Sequence, residues 1–269
     1  MAVHAHPDDE ASSTGGILAK YSAEGIRTVL VTCTNGELGD APGAVKPGEH
    51  GHDEAQVVET RLAELQESCR LLGVEVLELL GYRDSGMMGW PTNDAAGAFW
   101  TMPVDVAAAP LVQLMRHYQP QVVVTYDAFG FYGHPDHIQA HRITIAALET
   151  SGIDAKVFFP TIRRSRLAGF AARMVEAGLD PPDIDAEQMG SPDEAIAATI
   201  DCRAEAGAKL AALRAHASQK ENMFFLQFGF PEFVELFGTE EFVCFRDPTG
   251  SPMPTDDLFV GLRDEACHS

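Results

Sequence analysis

The 269-residue sequence predicts an α/β fold: a Rossmann-like, mostly parallel sheet with helices on both faces and C-terminal elements covering the site. Three observations carry this expectation. Short β-branched runs alternate with helix-length amphipathic stretches up to about residue 165, the pattern of strand–helix–strand units. The run IRTVLVTCT is apolar along its length, as a strand covered by helices on both sides must be. The two stretches richest in reactive side chains, HPDDE and YGHPDH, each follow a strand-like run, and open parallel sheets carry their sites at such strand ends.

Taken in order, MAVHAH reads as a strand that breaks at Pro7 into a loop. GGILAKYSAEG is a helix with Gly25 as its stop, and IRTVLVTCT is the second strand. After the loop NGELGDAPG and the polar segment VKPGEHGHDEAQ, Val58, Leu62, Leu65, Cys69 and Leu72 recur every three or four residues, which predicts a helix ended by Gly73. VEVLELLGY is a third strand, VDVAAAPLVQLMRHYQP a helix despite Pro110, and QVVVTYD a fourth strand. The loop AFGFYGHPDH leads into the helix HIQAHRITIAALETSG, and KVFFPTI is a further strand. Beyond it, LAGFAARMVEAG and CRAEAGAKLAALRAHASQ read as helices, PPDIDAEQMGSPDE as an acidic loop and TEEFVCFRD as a short strand. We expect one domain: residues 1–165 an α/β core with the site, residues 166–269 shaping a pocket over it.

Composition narrows the function. The formal charge of −21, from 19 basic and 40 acidic residues, argues against a nucleic-acid surface, which needs clustered Lys and Arg. No apolar run approaches membrane-spanning length and no signal-like segment opens the sequence, so the expectation is a cytoplasmic protein with no membrane partner and a small-molecule substrate; a homo-oligomer is allowed. The five cysteines (Cys33, Cys69, Cys202, Cys244, Cys267) are scattered without CxxC spacing, which argues against both a disulfide framework and a thiolate metal site.

The stretch HAHPDDE places two histidines and three acids within seven residues. His6 and Asp9 offer a nitrogen and an oxygen to a metal, and His137, brought from about 130 residues away by the sheet, offers a second nitrogen. Two histidines and a carboxylate suit a catalytic zinc that keeps one position open for water, and the same set serves ferrous iron. Asp8 is then free as a general base toward that water, His134 is placed to protonate a leaving amine or stabilise an oxyanion, and Asp136 could hold the His134 tautomer. Those parts suit metal-assisted hydrolysis of an amide. His50, His52, His117, His141 and His268 read as solvent-exposed.

With AHPDDE at 5–10 and GHPDH at 133–137 in this order, the sequence resembles the LmbE-like, or PIG-L, metal-dependent N-deacetylases. The similarity extends through VTCTNGELGD, RDSGM at 83–87, VVVTYDAFGFYGHPDH, LRAHASQ at 213–219 and TDDLF at 255–259, and is nearest to the actinobacterial mycothiol branch. The resemblance implies zinc on His6, Asp9 and His137, Asp8 as base and His134 as its partner. It adds Tyr132 as a donor to the oxyanion, and Arg61, Asp84 and Met87 as contacts to an amino-sugar substrate. Arg61 could equally be a helix-surface ion pair. Ser13 stands where the conjugate amidases carry Lys, as in the deacetylases, whereas TEEF and DDLF look more like the amidases; Phe129 and Phe131 make the second motif's loop more apolar than the family's glycine turn. The expected activity is removal of acetyl from an N-acetylglucosamine moiety of a small glycoside such as N-acetylglucosaminyl-inositol, with mycothiol S-conjugate amidase, or deacylase of another amino-sugar-containing specialised metabolite, as the alternative. A nucleotide-binding module is the contrasting class, disfavoured because HAHPDDE stands where GxGxxG would.

Overall fold

β1 (Ala2–His4) runs parallel to β2 (Val29–Thr34), which in turn pairs in parallel with β3 (Val76–Tyr82). The chain then returns to the other side of β1, where β4 (Val122–Val124) pairs in parallel with β1 and with β5 (Lys156–Thr161). A computed structural model describes residues 1–176, 189–222 and 224–263. Among these, seven strands form one sheet in the order β3-β2-β1-β4-β5-β7-β6, where β6 is Ala198–Asp201 and β7 is Thr239–Arg246. The reversal of strand order falls between β1 and β4, so the loops carrying the two motifs leave the sheet side by side at its switch point.

The apolar alternation decides the layers. Val3, Val31 and Val123 face α4 (Val104–Tyr118) and α6 (Pro135–Ser151) through Leu111, Met115, Ile143 and Ala147. Ala2 and Leu30 face the other way, onto Leu18 of α2 (Gly15–Ala23), Leu65 and Leu72 of α3 (Glu54–Leu72), and Leu210 and Leu213 of α8 (Ala206–Ala215). Two shorter helices, α1 (Asp9–Ser13) and α5 (Gly130–Gly133), belong to the motifs themselves, and α7 (Arg164–Glu176) follows β5.

Several boundaries moved for identifiable reasons. α3 starts at Glu54, ahead of the apolar repeat, because the Asp53 carboxylate accepts from the N–H groups of Ala55 and Gln56 and caps it there; Val57, not Val58, is buried. Gly73 ends it in the left-handed region at φ +70°. Pro110 does not break α4, because Ala107, Ala108, Leu111, Val112 and Met115 bury that helix against the sheet while Pro110 faces solvent. PDDE is not wholly loop: Asp9 opens α1.

The last third extends the sheet as well as covering it. β7 (Thr239–Arg246) pairs antiparallel with β5, and β6 (Ala198–Asp201), absent from the sequence reading, pairs antiparallel with β7 at the sheet edge. A further helix, α9 (Phe230–Phe237), forms within the apolar stretch after Phe224 and buries Phe233. The expected helix over CRAEAGAKLAALRAHASQ is regular only in α8, with 3-10 turns on either side. Residues 181–188 of the expected acidic loop, Cys267 and His268 lie outside the described residues. His141 is half-buried, its Nδ1 2.9 Å from the Tyr126 carbonyl and its ring against Phe159, and His52 Nε2 lies 2.9 Å from the Gly39 carbonyl; neither is a free surface histidine.

One buried ion pair ties the C-terminal strands to the core. Glu240 of β7 accepts from the N–H groups of Gly16 (2.7 Å) and Ile17 (2.9 Å) at the N-terminus of α2 and pairs with Lys209 Nζ at 2.7 Å. A carboxylate suits that helix end, and a Cβ on Gly16 would stand 2.6 Å from the Cys202 Cβ, so only glycine fits. Glu240→Ala leaves the Lys209 charge buried and two amides unpaired, and should cost about 3–5 kcal/mol of unfolding free energy. Urea denaturation of the variant beside the wild type measures it; a loss below about 1 kcal/mol would remove the pair from the stability account.

Candidate active site

β1 delivers the first motif. Past His4 the chain reaches Pro7, and Asp8 takes the left-handed conformation (φ 106°, ψ −28°), sparsely populated for a residue with a Cβ. Asp9 then opens α1. Its Oδ2 accepts from the His6 backbone N–H at 2.8 Å and lies 3.3 Å from His6 Nδ1. His4, though adjacent in sequence, is not part of the cluster: its ring nitrogens reach Thr14 Oγ1 and the Tyr126 hydroxyl beneath it.

The second motif is turned by Gly130 (φ 71°), Phe131 (φ 67°) and Gly133 (φ 87°). A Cβ at Gly130 would come within 2.8 Å of the His137 Cβ, so this position must be glycine both for its dihedrals and for space. His134 caps α6, its Nδ1 accepting from the Asp136 backbone N–H at 3.1 Å, which leaves the ring proton on Nε2. One turn on, His137 Nδ1 lies 3.2 Å from the Gly130 carbonyl and its ring stacks on Tyr126 at 4.1 Å between centroids. With Nδ1 donating, Nε2 carries the lone pair; it is buried, has no hydrogen-bond partner, and lies 3.4 Å from Asp9 Oδ1.

This donor set fits a divalent cation. His6, His134 and His137 present nitrogens within 4.8 Å of one another, and Asp9 meets two of them, its oxygens next to His6 Nδ1 and His137 Nε2. An alternative grouping of His6, Asp84, His134 and Asp136 is equally close, but its carboxylates are already engaged. Asp136 accepts from His6 Nε2 at 3.2 Å, the Ser85 N–H at 2.9 Å and the Ser85 hydroxyl; Asp84 accepts from the N–H groups of Gly86 and Leu38. A histidine whose far nitrogen meets a carboxylate is oriented as metal-binding histidines usually are.

The charges follow from burial and neighbours. Burial works against charge on His6, but Asp84, Asp136 and Asp9 outweigh it and lift its pKa well above the ordinary imidazole range; the same acids would favour a cation in its place. Burial likewise disfavours ionised Asp9, yet His137 and His6 hold its carboxyl well below the usual range. Burial raises Asp8 to about 6 against the opposing pull of Arg61. Burial, then His6 and His137, push His134 down to about 2, leaving it a neutral Nε2–H donor.

The remaining sequence candidates divide. Arg61 is no surface ion pair: it is buried, and its guanidinium donates to the carbonyls of Gly36 and Pro7 and to Asp8 Oδ2 at 3.1 Å. Tyr132 is 40% exposed, its ring set edge-on to that of His137 with 4.9 Å between centroids, and Met87 is 42% exposed on the loop after Asp84. The contact from Asp136 to His134 is made by its backbone N–H, not by its carboxylate, which meets His6 instead. Sequence reasoning passed over Glu10, Ser85 and His216. Glu10 and His216 are fully buried and pair at 2.7 Å; burial opposes both charges, but each holds the other ionised, Glu10 below and His216 above its ordinary pKa. It also passed over Glu37, buried with Oε2 lacking a partner. Only LRAHASQ hinted at His216.

Fold and site together define a Rossmann-like α/β protein whose switch-point loops carry a histidine–carboxylate cluster suited to a divalent metal. Residues 1–148 match the family described as PIG-L, GlcNAc-PI de-N-acetylase. The 1D-myo-inositol 2-acetamido-2-deoxy-alpha-D-glucopyranoside deacetylase of Acidothermus cellulolyticus is 42% identical over 97% of this chain and 94% of its own length; that of Salinispora arenicola is 42% identical over 97% and 91%. The chain belongs to the PIG-L family of de-N-acetylases, hydrolases of an amide bond. Among solved structures, N,N'-diacetylchitobiose deacetylase from Pyrococcus horikoshii superposes with a TM-score of 0.57 at 22% identity, covering 91% of this chain and 82% of that one. The 4-carboxy-2-hydroxymuconate hydratase of Pseudomonas putida gives 0.60 at 17% identity, covering 93% and 97%; at that identity the likeness concerns the fold alone.

Proposed function

We propose that this protein is a zinc-dependent N-deacetylase that removes acetyl from the N-acetylglucosamine moiety of a small glycoside, N-acetylglucosaminyl-inositol being the first substrate to test. The observation that carries the reading is the convergence of His6, Asp9 and the unpartnered His137 Nε2 beside Asp8, in a chain 42% identical over nearly its whole length to deacetylases of that glycoside. Zinc held by His6, Asp9 and His137 supplies Lewis acidity at the acetyl carbonyl. Ferrous iron suits the same ligands.

The chain's own groups then do the following. Asp8, ionised near neutral pH, takes the proton of the attacking water as its oxygen bonds to the acetyl carbon. His134, neutral with its proton on Nε2, donates a hydrogen bond to the oxygen that gains charge, a role its depressed pKa favours over proton donation. Tyr132 is a second donor at the rim. The C–N bond breaks, the amine leaves with a proton returned from Asp8, and acetate is the other product. Asp84 and Met87 border the sugar, while Arg61 acts on the substrate side only through Asp8 and the Gly36 loop. The chain serves one site, residues 1–165 as its core and the described residues of 166–269 as pocket wall. No helix among the described residues is long and apolar enough to cross a membrane, and a small soluble substrate in the cytoplasm fits that.

One observation favours the conjugate amidase as second reading. A cavity of about 390 Å³ beside Ser13 and Tyr126 is walled by Phe131, Phe170, Phe224, Phe225 and Phe237, roomy and apolar enough for a group larger than acetyl. Amine release from N-acetylglucosaminyl-inositol and from a mycothiol S-conjugate, each with zinc and with ferrous iron, separates the two. The expected result is metal-dependent release from the glycoside at a kcat/KM at least about tenfold above that for the conjugate, roughly 1.4 kcal/mol of transition-state preference. The reverse order establishes the amidase, and no release from either by metal-loaded protein overturns both.

A further inference from the structure

We infer that His216, acting through Glu10, is a positioning residue for the general base: the pair holds Asp8 in the strained backbone conformation from which it works. This rests on the assignment of Asp8 as base. At φ 106° Asp8 occupies a region that costs a non-glycine residue of order 1–3 kcal/mol, so something must hold it there. The Asp8 N–H donates to Glu10 Oε2 at 2.9 Å, an unusual short-range bond that closes the turn between the two residues. The other oxygen, Oε1, accepts from the Ser68 hydroxyl of α3 and meets His216 Nε2 at 2.7 Å. Glu10, Ser68 and His216 are each 0% exposed.

His216 stands at the end of α8, more than 200 residues from Glu10, and Ser68 on the buried face of α3. Two helices thus grip one carboxylate, and that carboxylate grips the backbone of the base. Among the described residues His216 makes no hydrogen bond to the Asp8 side chain or to the histidine–carboxylate cluster; its bonded route to Asp8 is Glu10, and the direct pull of its charge on the Asp8 carboxyl is what His216→Gln removes while keeping that bond. A carboxylate this deeply buried costs desolvation unless it is fully paired. A stability role alone would be met by an apolar cluster, as the neighbouring Leu65, Leu72 and Leu213 show. What an apolar cluster cannot do is accept the Asp8 N–H in this geometry.

The test is a double-mutant cycle read in kcat, KM, metal content and melting temperature, with N-acetylglucosaminyl-inositol as substrate. His216→Leu removes the donor at constant bulk, and His216→Gln keeps an N–H for Glu10. In the native background His216→Leu should lower kcat about 10- to 100-fold with KM within about twofold and metal content unchanged, because displacing a catalytic group by about 1 Å costs on that order. His216→Gln should recover to within about threefold of wild type. In the Asp8→Asn background His216→Leu should change the residual kcat by less than about twofold, since two groups that act as a unit are non-additive. Equal losses in both backgrounds, or a loss that tracks metal content, would overturn the positioning role while leaving Asp8 as base. Should His216→Leu fail to fold, Ser68→Ala, which removes a different donor to the same carboxylate, carries the identical two-background comparison. If Asp8→Asn itself retains full turnover, the base assignment fails and this inference with it.

Discussion

Asp8→Asn should lower kcat by about 10²- to 10⁴-fold, the usual contribution of a positioned general base, while the protein keeps its metal and its fold. The argument is one of geometry before pKa. Asp8 borders the cluster without belonging to it: its carboxylate meets Arg61 at 3.1 Å, whereas the contacts to His6 and His137 are made by Asp9. Asparagine preserves the volume and can still accept from Arg61, so a loss of rate isolates the loss of basicity. The pH dependence follows the same logic. Burial places the Asp8 carboxyl at about 6, and a cation on the neighbouring ligands would pull that value down. The base works ionised, so kcat/KM should fall as the pH drops through a pKa at or below about 6, and this acid limb should be missing from the variant. Turnover within threefold of wild type at pH 7.5, measured by amine release at matched metal content, would end the assignment of Asp8.

His137→Ala should weaken metal binding by more than about 100-fold, beyond what the loss of a mere supporting group costs, and abolish turnover with it. Of the three rings in the cluster, His137 alone has a free nitrogen that is buried without a partner, and its other nitrogen and its ring face are both committed, to the Gly130 carbonyl and Tyr126. It is pre-oriented for one purpose. Because the deleted imidazole is 2% exposed, the variant also leaves a cavity, so metal content by elemental analysis needs a melting curve beside it. A folded His137→Ala protein that still holds a full equivalent of zinc after dialysis would break the ligand assignment and shift it toward the alternative grouping around Asp84 and Asp136.

Residues near one another in sequence determined a great deal. The strands β1 to β5, the helices between them and the strand-end positions of HPDDE and GHPDH are legible because apolar period and turn chemistry are local signals, and local signals survive in a single sequence. The same holds for the proximity of His6, Asp9 and His137, since a switch point brings two strand ends together whatever their separation in the chain. Tertiary structure alone decided the rest. The commitment of the Asp136 carboxylate to His6, the burial of Arg61 under Pro7 and Gly36, the capping of α2 by Glu240 and the grip of His216 and Ser68 on Glu10 all join elements that carry no periodic trace of one another. β6 escaped for a similar reason: four residues, ATID, show too short a pattern to register until β7 supplies its partner. A buried polar group advertises itself in sequence only as an ordinary polar residue; it is the absence of water around it, a property of the folded whole, that makes its partner obligatory.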